Sequence, residues 1–127
     1  MASRPRTHLS IRINLESGTG IGSRQIALLE AIQATGSITG AARALAISYR
    51  HAWLLLEDLN TVLRTSAVAT ETGGAKGGGT ALTSTGARLV ELYRAIEAQT
   101  QVATIAECDA LEKMAQPKRA SAERGVA

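Results

Sequence analysis

Ser37 and Ser48 are both helix-start signals, and so little chain separates them that only one short helix and a tight break fit between. That spacing constrains the fold more than any other feature of the sequence. The short helix predicted from Ser37 to Ala46 carries Gly40, Ala41 and Ala42, whose small side chains let a neighbouring helix approach closely. Ile47 marks the break. Ser48 then opens a longer helix to about Thr61, in which Ala52, Leu55, Leu56, Leu59 and Leu63 recur at helical spacing and face a core. Ahead of the pair, a helix capped at Ser23 and stopped by Gly36 buries Ile26, Leu29 and Ile32. Two helices joined by so few residues, the second with a polar and basic first turn, form a helix-turn-helix.

The segment after the pair makes it winged. From Val68 to Thr83 two short strand-like pieces flank the glycine-rich run Thr72-Gly-Gly-Ala-Lys-Gly-Gly-Gly-Thr80, a hairpin with a long tip. A last helix, capped at Thr83 or Ser84, runs to about Met114. At the other end, Leu9 to Leu15 alternates strictly, so a half-buried strand with Leu9, Ile11, Ile13 and Leu15 on one face is expected, closed by the turn residues Glu16 to Gly20. The fold class is therefore mainly α with a small β hairpin: a winged helix-turn-helix with a long C-terminal dimerisation helix. Residues 1–8 read as a flexible N-terminus, 9–83 as the winged domain, 84–114 as the dimerisation helix and 115–127 as a disordered tail.

Composition narrows the function. A chain of 127 residues holds one core, and aromatics supply only 2% of it, so that core rests on scattered Leu, Ile and Val. The apolar runs fall well short of the about 18 residues a membrane helix needs, and the basic start has no apolar stretch behind it, so no membrane partner and no secretory signal are expected. A lone Cys108 with only His8 and His51 leaves no disulfide, no zinc cage and no cofactor to expect, and a reducing, cytoplasmic setting fits. Up to Arg64 the arginines outnumber the acids Glu16, Glu30, Glu57 and Asp58 by three, which is the whole formal net charge of +3. The rest of the chain is neutral. A polyanion would therefore be met by the first half.

In a winged helix-turn-helix the second helix offers its first residues to base edges, while helix-start amides suit phosphate oxygens. Arg50 is the foremost candidate, since arginine reads guanine with two hydrogen bonds and also pairs with phosphate; taken alone it would be a solvated charge. Tyr49 and His51 flank it and are as easily packing residues as contacts to phosphate or a thymine methyl. Ser48 serves as cap and phosphate donor, and Ser37 and Thr39 can donate from the preceding helix. Trp53 lies beside the apolar face, where core packing is expected. Glu57 and Asp58 would repel phosphate, so they are placed on solvent or in a salt bridge. Lys76 on the wing is a phosphate or minor-groove contact. The same glycines do not make a nucleotide cradle, because no Gly-Lys-Ser/Thr follows at the required spacing. Leu89, Leu92, Tyr93 and Ile96 on the last helix form an apolar stripe that a chain of this size buries only in part, so one part is expected to pack on the chain's own wing and first helix and another to pair a homodimer. A two-fold dimer would set two recognition helices on successive major grooves, about 34 Å apart.

The run Gly36-Ser-Ile-Thr-Gly-Ala-Ala-Arg-Ala-Leu-Ala-Ile-Ser-Tyr-Arg-His-Ala-Trp53 resembles the N-terminal DNA-binding domain of the ModE-type molybdate-responsive transcription regulators, itself similar to the winged helices of LysR-type regulators. Ile47 to Trp53 matches that family's recognition-helix start, Thr72 to Thr83 its glycine-rich wing, and Gly86 to Ile96 its dimer-pairing helix. The likeness runs from about Leu9 to Gln101. It implies a dimeric regulator of double-stranded DNA. Three departures stand out. The family usually carries Gly where this chain has Ala46, which argues against a left-handed residue there. Ala75 displaces Lys76 by one position. And the family senses molybdate with a further C-terminal domain, so no molybdate site is expected in these residues. The alternative reading is a winged-helix adaptor that binds protein without specific DNA binding. An enzyme is not expected, because neither paired carboxylates nor a Ser/His/Asp or Cys/His set occurs at usable spacing.

Overall fold

The computed structural model describes residues 7–18, 20–71 and 79–117. Two small antiparallel hairpins bracket a three-helix unit, and a helical arm extends from the second. In chain order these are β1 (Ile13–Asn14), β2 (Gly20–Ile21), α1 (Ser23–Thr35), α2 (Ile38–Ala44), α3 (Tyr49–Val62), β3 (Val68–Glu71), β4 (Gly79–Leu82), α4 (Ser84–Ala103) and α5 (Ile105–Met114). Val68 pairs with Leu82 and Glu71 with Gly79, so the two strand-like pieces form the expected hairpin. The expected positions of Lys76 and most of the glycine run lie outside the described residues, as do most of the tail and residues 1–6.

The core gathers on α1. Its Ile26, Leu28, Leu29 and Ile32 meet Ile38, Ala41 and Ala42 of α2 and Ala52, Leu56 and Leu59 of α3, all buried. Alanine at the crossings keeps the helices close, which is how a chain so poor in aromatics still excludes water. The α1 cap sits one residue earlier than expected: Gly22 is the N-cap, and its N–H donates to Gln25 Oε1 at 2.7 Å. At the other end Gly36 adopts φ +79, and its carbonyl accepts from Thr80 N at 2.9 Å, so the α1–α2 turn carries the wing. Gly86 is required by contact instead: a Cβ there would lie 2.1 Å from the Ala67 carbonyl oxygen. That oxygen also accepts from Thr83 N, tying the base of the wing to the start of α4.

Four expectations need correction. The N-terminal strand is only Ile13–Asn14, because β2 offers two residues to pair with; the alternating burial persists from Leu9 to Ile13, but Leu15 is exposed. Ala46 does take the left-handed conformation, φ +57, in spite of its Cβ. Ala46 N donates to Arg43 O and Ile47 N to Ala42 O, the two bonds of a Schellman stop, with Ile47 packing against the core beyond it. The last helix is not continuous to Met114. It breaks at Thr104, where φ −113 and ψ 18 leave the helical range. Thr100 and Thr104 hydroxyls bond back to the carbonyls of Ile96 and Thr100, a competition that bends helices, and β-branched Val102 and Ile105 weaken the same stretch. Finally, Tyr93 is not on an exposed stripe. It is 1% exposed, with its hydroxyl donating to Ile11 O at 2.5 Å.

α4 is held on α1 by charge as well. Arg94 donates from Nε and Nη2 to both oxygens of Glu30, at 3.0 and 2.6 Å, and from Nη1 to Glu97 at 2.7 Å. The hydrogen bonds from Arg94 hold the Glu30 carboxyl below its ordinary range, and Glu30 in turn raises the arginine.

Candidate nucleic-acid interface

α3 begins where its sequence says it should. Ser48 Oγ accepts from His51 N at 2.9 Å, and Ser37 Oγ accepts from Gly40 N at 2.8 Å at the head of α2. Each hydroxyl spends its oxygen on the cap and keeps its O–H proton for another acceptor. The buried face of α3 is Ala52, Leu56 and Leu59. The opposite face presents Arg50, Leu54 and Glu57, Tyr49 and Trp53 lie along one edge of the buried face, all five exposed, and His51 is half-buried at the other edge. Arg50 forms no ion pair among the described residues, so its guanidinium is available. Glu57 and Asp58 likewise take the solvent rather than the salt-bridge option among those residues. Glu57 lies about two turns beyond Arg50 on the same face, which confines anion attraction to the first turn of α3.

The structure brings Ser37, Thr39 and Tyr49 together around one cleft. The cleft has a volume of about 230 Å³, and Trp53, Thr70 and Glu71 complete its walls. Its floor continues onto Gly79 and Thr80, where the wing hydrogen-bonds to the α1–α2 turn. Ser48, Arg50 and His51 lie outside that cleft, on the adjoining part of the α3 surface.

Trp53 departs from the expected core position. It is 38% exposed and meets Tyr49, itself 52% exposed, edge to face with ring centroids 6.2 Å apart. The sequence held part of a signal for this: Tyr49 and Trp53 are four residues apart and so neighbour each other on the helix surface, at the edge of the face that Ala52, Leu56 and Leu59 bury. Thr70 and Glu71 carried no signal, because only the return of the wing hairpin sets them opposite α3.

The stripe on α4 is smaller than expected. Leu92 and Ile96 are 44% and 43% exposed, Leu89 is half-buried against the core, and the buried Tyr93 drops out. Leu63, Arg88, Leu89 and Leu92 line a shallow groove of about 490 Å³ where α3 ends beside α4. Val102, Ile105, Leu111 and Met114 extend the exposed apolar surface along the arm. Among the described residues no helix is long and apolar enough to cross a membrane.

No protein-family model matches the chain. Individual proteins do. The molybdenum transport protein ModE of Azotobacter vinelandii is 39% identical over 99 residues, which is 76% of this chain and 37% of that protein. The transcriptional regulator ModE of Yersinia pestis is 40% identical over 88 residues, covering 69% of this chain and 34% of its own length. The DNA-binding transcriptional dual regulator ModE of Escherichia coli K12 is 34% identical over 88 residues, with the same 69% and 34% coverage. These names describe transcription regulation and molybdenum transport, not catalysis. The chain spans little more than a third of the length of these relatives. In the segment it shares with them, the chain is a ModE-type winged-helix domain.

Proposed function

We propose that the chain is a dimeric, sequence-specific DNA-binding transcription regulator that sets the start of α3 in the major groove. The observation that carries this reading is the exposed first turn of α3: a Ser48-capped helix start with Arg50 unpaired among the described residues, backed by Ser37 and Thr39 at the head of the preceding helix. Arg50 reads a guanine edge or grips a phosphate, and the Ser37, Thr39 and Ser48 hydroxyls donate to phosphates on either side. Tyr49 and His51 border that contact, and Lys76 on the wing reaches backbone or minor groove. Leu92 and Ile96, with Leu89 beneath them, pair the two protomers. The relatives' names as DNA-binding and transcriptional regulators support the same function.

The test is selection of bound duplexes from a random pool at two salt concentrations. A palindrome with half-sites about one turn apart is expected. Retention without enrichment, released steeply by salt, would reduce the contact to non-specific electrostatics. No retention at all would make the protein-binding adaptor the better reading.

A further inference from the structure

The cleft between α3 and the wing has a chemistry that phosphate binding does not explain. No lysine or arginine lines it among the described residues, and Glu71 adds a negative charge at its rim. The Ser37 and Thr39 hydroxyls can donate to a phosphate at the α2 edge of the cleft, but toward Glu71 a phosphate would meet a like charge. Besides Glu71, its walls are two exposed aromatic rings, the Ile38 side chain, Gly79 and a row of threonine and serine hydroxyls. At about 230 Å³ it falls below the roughly 300–1,000 Å³ of a small-molecule pocket, so an independent ligand would be poorly enclosed. Three aromatic residues exist in the chain, and two of them, Tyr49 and Trp53, are spent on this exposed surface beside Arg50. Exposing two large rings costs solvation that a partner with a small apolar group would recover.

Major-groove base edges offer one such group, the thymine 5-methyl, which is read by apolar contact and carries no charge for Glu71 to oppose. We propose that the Tyr49–Trp53 pair is a thymine-methyl reader, so that the preferred half-site contains a thymine whose methyl packs on the Trp53 ring while Arg50 reads the neighbouring position. Tyr49, edge-on to Trp53, holds the indole in place. This deepens the DNA-binding reading and rests on it.

The experiment replaces each thymine of the selected half-site, one at a time, by deoxyuridine, which removes only the methyl. Affinity is measured for the wild-type full chain and for Trp53→Ala and Trp53→Phe. One thymine should show about fourfold weaker binding as deoxyuridine in the wild type, the fold-change that corresponds to ~0.8 kcal/mol for one buried methyl-sized group. That methyl effect should vanish in Trp53→Ala and persist in part in Trp53→Phe. If the chain selects a site but no deoxyuridine substitution weakens it, or the half-site holds no thymine, the reader is overturned and DNA recognition stands. A methyl effect undiminished in a folded Trp53→Ala overturns it equally. A chain that retains no duplex at all overturns both. The deoxyuridine scan on wild type decides the matter even if a Trp53 variant fails to fold.

Discussion

Ala46 sits at φ +57, where an L-residue with a Cβ pays roughly 1–2 kcal/mol relative to the right-handed region. Glycine carries no such penalty but gives up roughly 0.5–1 kcal/mol more backbone entropy on folding. Ala46 is exposed, so removing its methyl leaves no cavity. Ala46→Gly should therefore stabilise the chain by about 0.5–1 kcal/mol, a rise in Tm of about 2–5 °C for a chain of this size. Ala44, the last residue of α2, is also exposed but helical, so the identical change there has only the entropic cost and should lower stability by about 0.5–1 kcal/mol. Thermal and urea unfolding followed by far-UV circular dichroism would measure both. Opposite signs two residues apart are the signature of the backbone term. If both glycines shift the midpoint the same way, left-handed strain is not stored at Ala46, and the account of the α2–α3 turn is wrong.

Tyr93→Phe leaves the Ile11 carbonyl without its partner and should cost about 1–2 kcal/mol in urea denaturation; an unchanged midpoint would mean that water replaces the hydroxyl freely. Glu30→Gln tests the clamp of α4 on α1. Because Arg94 lowers the folded-state pKa of Glu30 below its ordinary 4.5, the stability it adds is complete above that value and is lost as pH falls through the lowered one. Wild type should exceed the variant by roughly 0.5–1 kcal/mol at pH 7, a surface-pair magnitude suited to two half-exposed partners, and the gap should close in acid. A gap independent of pH would remove the charge from the account. Leu92→Glu with Ile96→Glu should yield monomers by sedimentation equilibrium with far-UV signal retained, whereas a dimer that persists would move the interface elsewhere. Arg50→Ala should weaken binding to the selected duplex by about 1–3 kcal/mol, and unchanged affinity would take Arg50 out of recognition.

The features legible in the chain are those set by neighbours in sequence. Ser37 and Ser48 cap helices because a hydroxyl reaches the amide three residues on, whatever surrounds it. Gly36 stops α1 because the left-handed turn costs glycine little, and the two strands of the wing pair because a glycine-rich run joins them. The stripes of α1 and α3 pick out their buried faces by period alone. Tertiary structure decided the rest. Ala46 is left-handed because the Schellman bonds and the packing of Ile47 on the core outweigh the cost of its Cβ, a balance no local propensity contains. Tyr93 looks like one residue of an exposed stripe, yet Ile11, far away in sequence, supplies the acceptor that draws its hydroxyl inward. Trp53 looks like core beside Ala52, but α1 and α2 already fill that space with Ile, Leu and Ala, so the largest ring in the chain is left at the surface. Period and capping specify which way an element starts and which side is apolar; only packing, where volume is finite and each buried polar group needs a partner, assigns the individual ring to inside or outside.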